Sequence, residues 1–194
     1  MTHKQDIADA ISGGKKPQYT PEALKNIPSN PETILCIYHG NCPDGFGAAW
    51  AMRHWLPNAK IEFHAAKYGD SQLPNYKGRI VYVLDFSFPR LQTIDMIEKS
   101  KAFLLLDHHK TAMENLVGLD WSPQGLSPRE YQEGMRFFMS DGGRIVIDMD
   151  KSGAGLSWDY FSGMMSEGGK GTRRPPLIDH IEDGDLWKFK WALS

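Results

Sequence analysis

An α/β fold built on a central, mainly parallel sheet flanked by helices is predicted by two features of the chain. Short, continuous apolar runs alternate with segments of helical character, and several runs stop abruptly at an acid or an imidazole. Strands buried on both faces read as unbroken apolar runs, and strand–helix alternation argues for βαβ units. Right-handed crossovers bring all the strand carboxyl ends to one edge. In open α/β sheets that edge is where ligand sites form.

Residues 1–31 read as a peripheral arm. They are polar, with Gly13-Gly14-Lys15-Lys16-Pro17 and then Pro21, Pro28 and Pro31, and have room for short helices around 3–11 and 21–26. The main domain is predicted over 32–194, with the repeating units beginning at Thr33. Ile34-Leu35-Cys36-Ile37-Tyr38 is the first strand, followed by a loop from His39 to Gly45. Residues 46–56 read as a helix that packs through Gly47, Ala48, Ala49 and Ala51. Strands are predicted at 60–65 and 79–84, the latter ending in Asp85. A helix over 91–100 leads to the run Ala102-Phe103-Leu104-Leu105-Leu106, which ends in Asp107-His108-His109. The pattern then changes. Residues 135–148 read as a β-hairpin insertion, Met135 to Met139 and Arg144 to Ile147 around the turn Ser140-Asp141-Gly142-Gly143. Helices are expected over 152–165 and 177–183, separated by a Gly/Pro/basic loop containing Lys170, Arg173 and Arg174.

Composition narrows the function classes. The formal charge of −2 excludes a global basic field for long nucleic acid. Two cysteines, Cys36 and Cys42, are too few for a disulfide framework and fit a reducing, cytoplasmic compartment. The chain has no run of transmembrane length and no secretory h-region, so no membrane partner is expected. An oligomer remains open.

Charged groups at the ends of buried strands must be paired or bound to a metal. Here His39 and Asp44 follow one strand, Asp85 a second, and Asp107, His108 and His109 a third, with Asp179, Asp183 and Asp185 near the C-terminus. Mixed carboxylate and imidazole ligands suit Mn²⁺, and carboxylates can bridge two ions. Such a pair can clamp nucleophile and phosphoryl oxygen in an in-line displacement. There is no P-loop signature and no GxSxG elbow. Neighbours in extended chain point to opposite sides. One of His108 and His109 is therefore expected to bind metal while the other faces substrate.

The strings His39-Gly40-Asn41-Cys42-Pro43-Asp44-Gly45, Val83-Leu84-Asp85, Asp107-His108-His109 and Ile181-Glu182-Asp183-Gly184-Asp185 resemble the four motifs of the DHH phosphoesterase superfamily, in the form of its nanoRNase (oligoribonuclease) members. The resemblance covers roughly residues 33–190. It implies two Mn²⁺ ions, with Mg²⁺ or Co²⁺ as substitutes, and the catalytic residues Asp85, His108 and His109. By position Asp85 would bridge the metals. Asp44, His108 and Asp183 would complete one site and His39 would belong to the other. Asp183 is preferred over Asp185, which reads as a helix cap or alternative ligand. His109 would contact the scissile phosphate and Asp107 would orient the histidine pair. Asn41, Gly45, Ser152 and Gly153 would line the substrate, Gly45 through its backbone N–H.

Two departures stand out. Cys42 replaces the first acid of the usual D-x-D, which leaves it as an outer-sphere or alternative ligand and leaves the His39 site to water or Asn41. The chain also stops near where a linker to a second, substrate-binding domain would begin, as in a minimal form or a fragment. The implied reaction is metal-dependent hydrolysis of phosphodiesters in short oligonucleotides or (cyclic) dinucleotides. The alternatives are a small-molecule phosphatase or pyrophosphatase, and a nucleotide-binding protein that has lost hydrolysis.

Overall fold

The computed structural model describes residues 34–70, 73–116, 144–165 and 172–190. Within them lie strands β1 (Ile34–His39), β2 (Ile61–Ala66), β3 (Ile80–Leu84), β4 (Ala102–Asp107) and β5 (Arg144–Ile147). The helices are α1 (Pro43–Trp55), α2 (Arg90–Lys99), α3 (Lys110–Leu116), α4 (Gly153–Met165) and α5 (Pro176–Asp185). All described strand pairs are parallel, in the order β2-β1-β3-β4-β5. The chain works outward in one direction from β1 to β2, then returns past β1 to β3. The switch point between β1 and β3 opens a crevice at their carboxyl ends.

Two apolar layers explain the continuous runs. Alternate strand residues Ile34, Cys36, Tyr82, Leu84, Leu104 and Leu106 face α1 and α4. The residues between them, Leu35, Ile37, Val81, Val83, Phe103 and Leu105, face α2 and α3. Strands β1, β3, β4 and β5 are buried on both sides, so polar alternation there would strand charge in a core, whereas the edge strand β2 is largely open to solvent. Outside α1 and α4, helix α5 packs Ile178 against Ala51, Ala154 and Trp158. Among the described residues no helix is long and apolar enough to cross a membrane.

The differences from the predicted elements have local causes. Helix α1 begins at Pro43 rather than at 46, with proline in its first turn. Proline's fixed φ suits that position and its missing N–H is not needed there. Asp44 therefore belongs to a helix and not to a loop. Helix α3 is an addition, only seven residues long. Helix α5 runs on to Asp185. The N-terminal arm and the first half of the predicted hairpin lie outside the described residues. The second half is β5, which pairs in parallel with β4, Asp107 opposite Ile147.

The turn from β1 into α1 is tight. A Cβ at Gly45 would sit 2.2 Å from the His39 carbonyl oxygen and 2.7 Å from the His39 Cβ. Gly45→Ala is therefore expected to destabilise the protein by about 2–3 kcal/mol through overpacking, roughly 5–10 °C in Tm for a chain of this length. Gly163, inside α4 with open space where its Cβ would be, provides the contrast. Gly163→Ala should be neutral or stabilising by up to about 1 kcal/mol from helix propensity. Thermal melts of the two variants check both.

Candidate metal centre

Asp85 is the first residue after β3. Its backbone is left-handed, with φ of 55°, which aspartate tolerates better than most residues. Its N–H donates to the Leu106 carbonyl at 2.8 Å, tying the end of β3 to β4. The residue is 0% exposed, and neither carboxylate oxygen has a hydrogen-bond partner among the described residues. Nitrogens surround it at ion-pair distances without hydrogen-bond alignment: His108 Nε2 at 3.2 Å, His39 Nδ1 at 3.5 Å and His109 Nδ1 at 3.9 Å. His39 Nδ1, His108 Nε2 and Asp185 Oδ2 are likewise buried without a hydrogen bond. A single orphaned buried polar group costs about 1–3 kcal/mol. Several converging on one point fit a cation.

Three sets of ligand atoms lie within 4.8 Å of one another: His39, Cys42 and Asp85; Asp85, His108 and His109; Asp44, His108 and Asp185. Asp85 is common to two of them and His108 to two. The cluster gathers the ends of β1, β3 and β4, the first turn of α1 and the last residue of α5.

The two histidines do not diverge as extended-chain geometry predicts. Their ring centroids are 4.5 Å apart, and both rings turn toward Asp85. The reason is that β4 ends at Asp107. The buried Asp107 Oδ1 accepts the backbone N–H groups of His108 at 2.8 Å and His109 at 3.2 Å, and stands 2.7 Å from His109 Nδ1. This gathers both amides into a turn before α3.

Residues 152–154 start α4 and bond back to α1 and α5. Asp44, 1% exposed, accepts the N–H of Gly153 at 2.6 Å and of Ala154 at 2.8 Å. The Ser152 hydroxyl accepts the Gly155 N–H at 3.1 Å, as an N-cap does. The Ser152 N–H donates to Glu182 at 3.2 Å. Ser152 is fully buried, and its polar groups are spent on starting α4. Gly153 is needed for closeness, since a Cβ there would lie 2.4 Å from the Asp85 Cβ. Gly45 is buried in the first turn of α1. Asn41 is exposed with φ of 59°.

At the C-terminal end Asp185, not Asp183, stands in the cluster, its Oδ2 3.5 Å from His108 Nε2. The longer helix causes the exchange. Asp183 is buried and holds the following turn. Its backbone carbonyl accepts the Lys188 N–H at 2.9 Å and its carboxylate accepts the Lys190 N–H at 2.9 Å. That turn puts Trp187 and Phe189 in left-handed backbone, φ 54° and 45°. Their rings meet edge to face at 5.5 Å, and Trp187 is 80% exposed. The exposed Tyr68 ring lies 5.6 Å from that of His39.

Burial and mutual repulsion polarise the titration. Burial raises Asp44, and the neighbouring Asp85 charge raises it further, against the Ala154 amide. Burial would raise Asp85 too, but His108 and His39 outweigh it and hold the carboxyl at about 2. His108 would fall on burial, yet the carboxylates of Asp85, Asp44 and Asp185 raise it. The Asp107 hydrogen bond raises His109. Burial pushes the Cys42 thiol up, while the amides of Gly45 and Asp44 pull the other way.

The sequence reading missed the support behind α5. Arg174, expected in a solvated loop, is half-buried. It donates to Asp159 at 2.9 and 2.5 Å and to Glu182 at 2.8 Å. This clamps α5 to α4 and sets where Asp185 falls. No signal short of the α4–α5 packing marks it.

No protein-family model matches the chain. The chain is 27% identical over 181 residues to an uncharacterized protein of Acanthamoeba polyphaga mimivirus, an alignment covering 86% of this chain and 36% of that protein. It spans about a third of the length of the curated relative it matches.

The Asp44 contact has a stability consequence. Asp44→Ala orphans two buried amides, at about 1–3 kcal/mol each, and relieves some repulsion. The expected net loss in the metal-free protein is about 1–3 kcal/mol, with Asp44→Asn losing less because it keeps one acceptor. Urea unfolding checks this, and equal stability of Asp44→Ala and the parent would remove the capping role.

Proposed function

We propose that the chain is a metal-dependent phosphoesterase that cleaves phosphodiester bonds of short oligonucleotides or (cyclic) dinucleotides. The observation that carries this reading is the fully buried Asp85 carboxylate, unbonded at both oxygens and common to adjoining sets of ligand atoms. A bridging acid in a two-metal site requires that placement.

The ligands would be His39 and Asp85 on one side and Asp44, His108 and Asp185 on the other, with Mn²⁺ the expected ion. Bound there, two divalent cations would neutralise phosphoryl charge and lower the pKa of attacking water. The protein's own groups do the rest. Asp107 fixes the His109 ring, whose other nitrogen, Nε2, is left to donate a hydrogen bond to the phosphate or to the leaving oxygen. The two layers of helix that cover the sheet keep bulk water from beneath the cluster, which strengthens every charge interaction within it.

The flanking aromatics support a nucleotide over a bare phosphate compound. Tyr68, beside the His39 ring, and Trp187 and Phe189, which follow Asp185 in the chain, are exposed. A base can stack on such a ring for about 1–3 kcal/mol. The held-out, left-handed turn that presents Trp187 fits the tendency of strained backbone to occur at functional positions. A net charge of −2 gives the chain no global basic field to hold a long strand. Short substrates are therefore preferred.

Two outcomes are expected. At one hundred times its Kd, Mn²⁺ should stabilise the protein by about 2.7 kcal/mol and support diester hydrolysis. Asp85→Asn should remain folded while losing both effects, and full activity in that variant would falsify the bridging role. Trp187→Ala should raise KM for a dinucleotide by roughly 5- to 100-fold, with Trp187→Phe recovering most of the loss. Steady-state kinetics on the three proteins separates these cases, and an unchanged KM in Trp187→Ala removes the stacking contact.

A further inference from the structure

We infer that Cys42 is a metal ligand, and that the position it forms with His39 and Asp85 takes a thiolate-binding divalent cation of the Zn²⁺ or Co²⁺ class. The neighbouring position, built from Asp44, His108 and Asp185, offers only oxygen and nitrogen and suits Mn²⁺. The inference rests on the two-metal reading above and deepens it by making the two positions chemically unequal.

The first support is placement. The Cys42 sulfur, a His39 ring nitrogen and an Asp85 oxygen all lie within 4.8 Å of one another. The left-handed residue Asn41, φ 59°, turns the chain between His39 and Cys42 and brings the two ligand atoms together. The second is that both partners in this set are orphaned. Asp85 is 0% exposed, and both its oxygens and His39 Nδ1 are buried with no hydrogen bond among the described residues.

The third concerns what the sulfur is not doing. Cysteine often serves as a small apolar filler, and Cys36 does so within the layer under α1 and α4. Cys42 belongs to none of the three apolar clusters. It is a free thiol at the N-cap of α1, with the backbone amides of Asp44 and Gly45 facing its sulfur. A bound cation displaces the thiol proton outright. Coordination thus forms one metal–sulfur bond and releases one proton to solvent. A soft sulfur donor selects against hard, oxygen-preferring ions.

The test is the cobalt spectrum of the full chain loaded with Co²⁺, beside binding stoichiometry from calorimetry. The parent and Cys36→Ala should show a near-ultraviolet sulfur-to-cobalt charge-transfer band. Cys42→Ser and Cys42→Asp should lack it while binding Co²⁺ at the remaining position. In metal competition, Cys42→Asp should shift selectivity from Zn²⁺ toward Mn²⁺ by roughly tenfold or more. Bound Co²⁺ without the band, or a band that survives Cys42→Ser, overturns Cys42 as a ligand and leaves the phosphoesterase reading intact. A Cys42-dependent band in a protein that cleaves no diester upholds the ligand and sinks the activity instead. Failure to bind Co²⁺, Zn²⁺ and Mn²⁺ overturns both.

Discussion

Two hydrogen bonds, from the amides of Gly153 and Ala154 to the carboxylate of Asp44, hold the upper edge of the sheet together. Through them the first turn of α1 and the start of α4 share one buried anion. Both helix N-termini thereby face the acid cluster, and their dipoles favour negative charge there. The contact also sets spacings. It draws Gly153 so near Asp85 that no side chain fits between them, and it gives Asp44 an orientation that also faces His108, 3.4 Å away. Remove that anion and α4 loses its start, while the ligand positions lose their common frame.

The cluster is a concentration of like charge that folding alone does not favour. Asp44, Asp85 and Asp107 are essentially without solvent, and burying carboxyl groups away from water is costly. Partial compensation comes from amides to Asp44 and Asp107 and from imidazoles beside Asp85. The Asp85 carboxylate is left without a hydrogen bond among the described residues. Groups arranged this way oppose stability. The scaffold around them is correspondingly secure, with apolar layers on both faces of the sheet and the Arg174 clamp behind α5.

The sheet was largely legible in the sequence because parallel strands buried on both faces leave an unmistakable trace of continuous apolar residues. The strand-end polar residues His39, Asp85, Asp107 and His108 could be picked out for the same reason, since nothing apolar explains them. What escaped the sequence depended on tertiary fit. Whether Asp183 or Asp185 joins His108 turns on two further residues of helix in α5, which its packing against α4 decides. A helix beginning at Ser152 is legible, but not that its start needs Asp44, more than a hundred residues away. The paired orientation of His108 and His109 follows from a turn made by the Asp107 side chain, which strand periodicity does not encode. Helix α3 is two turns long and lacks a periodic signal strong enough to separate it from a loop.

The 109-residue separation between Asp44 and Gly153 bears on the order of events as the chain folds. Closing so long a loop carries an entropy cost that local helix and hairpin formation does not. Chains emerge from synthesis N-terminus first, so β1 to β4 exist before α4 is made. During that interval Asp44 and Asp85 still stand in water, where their charges cost nothing. The acids are driven from solvent only when α4 arrives with amides to receive one of them, and α5 then adds the last carboxylate. The acid and imidazole cluster thus draws on α4 and α5, which are made after the strands that lead into Asp85 and Asp107.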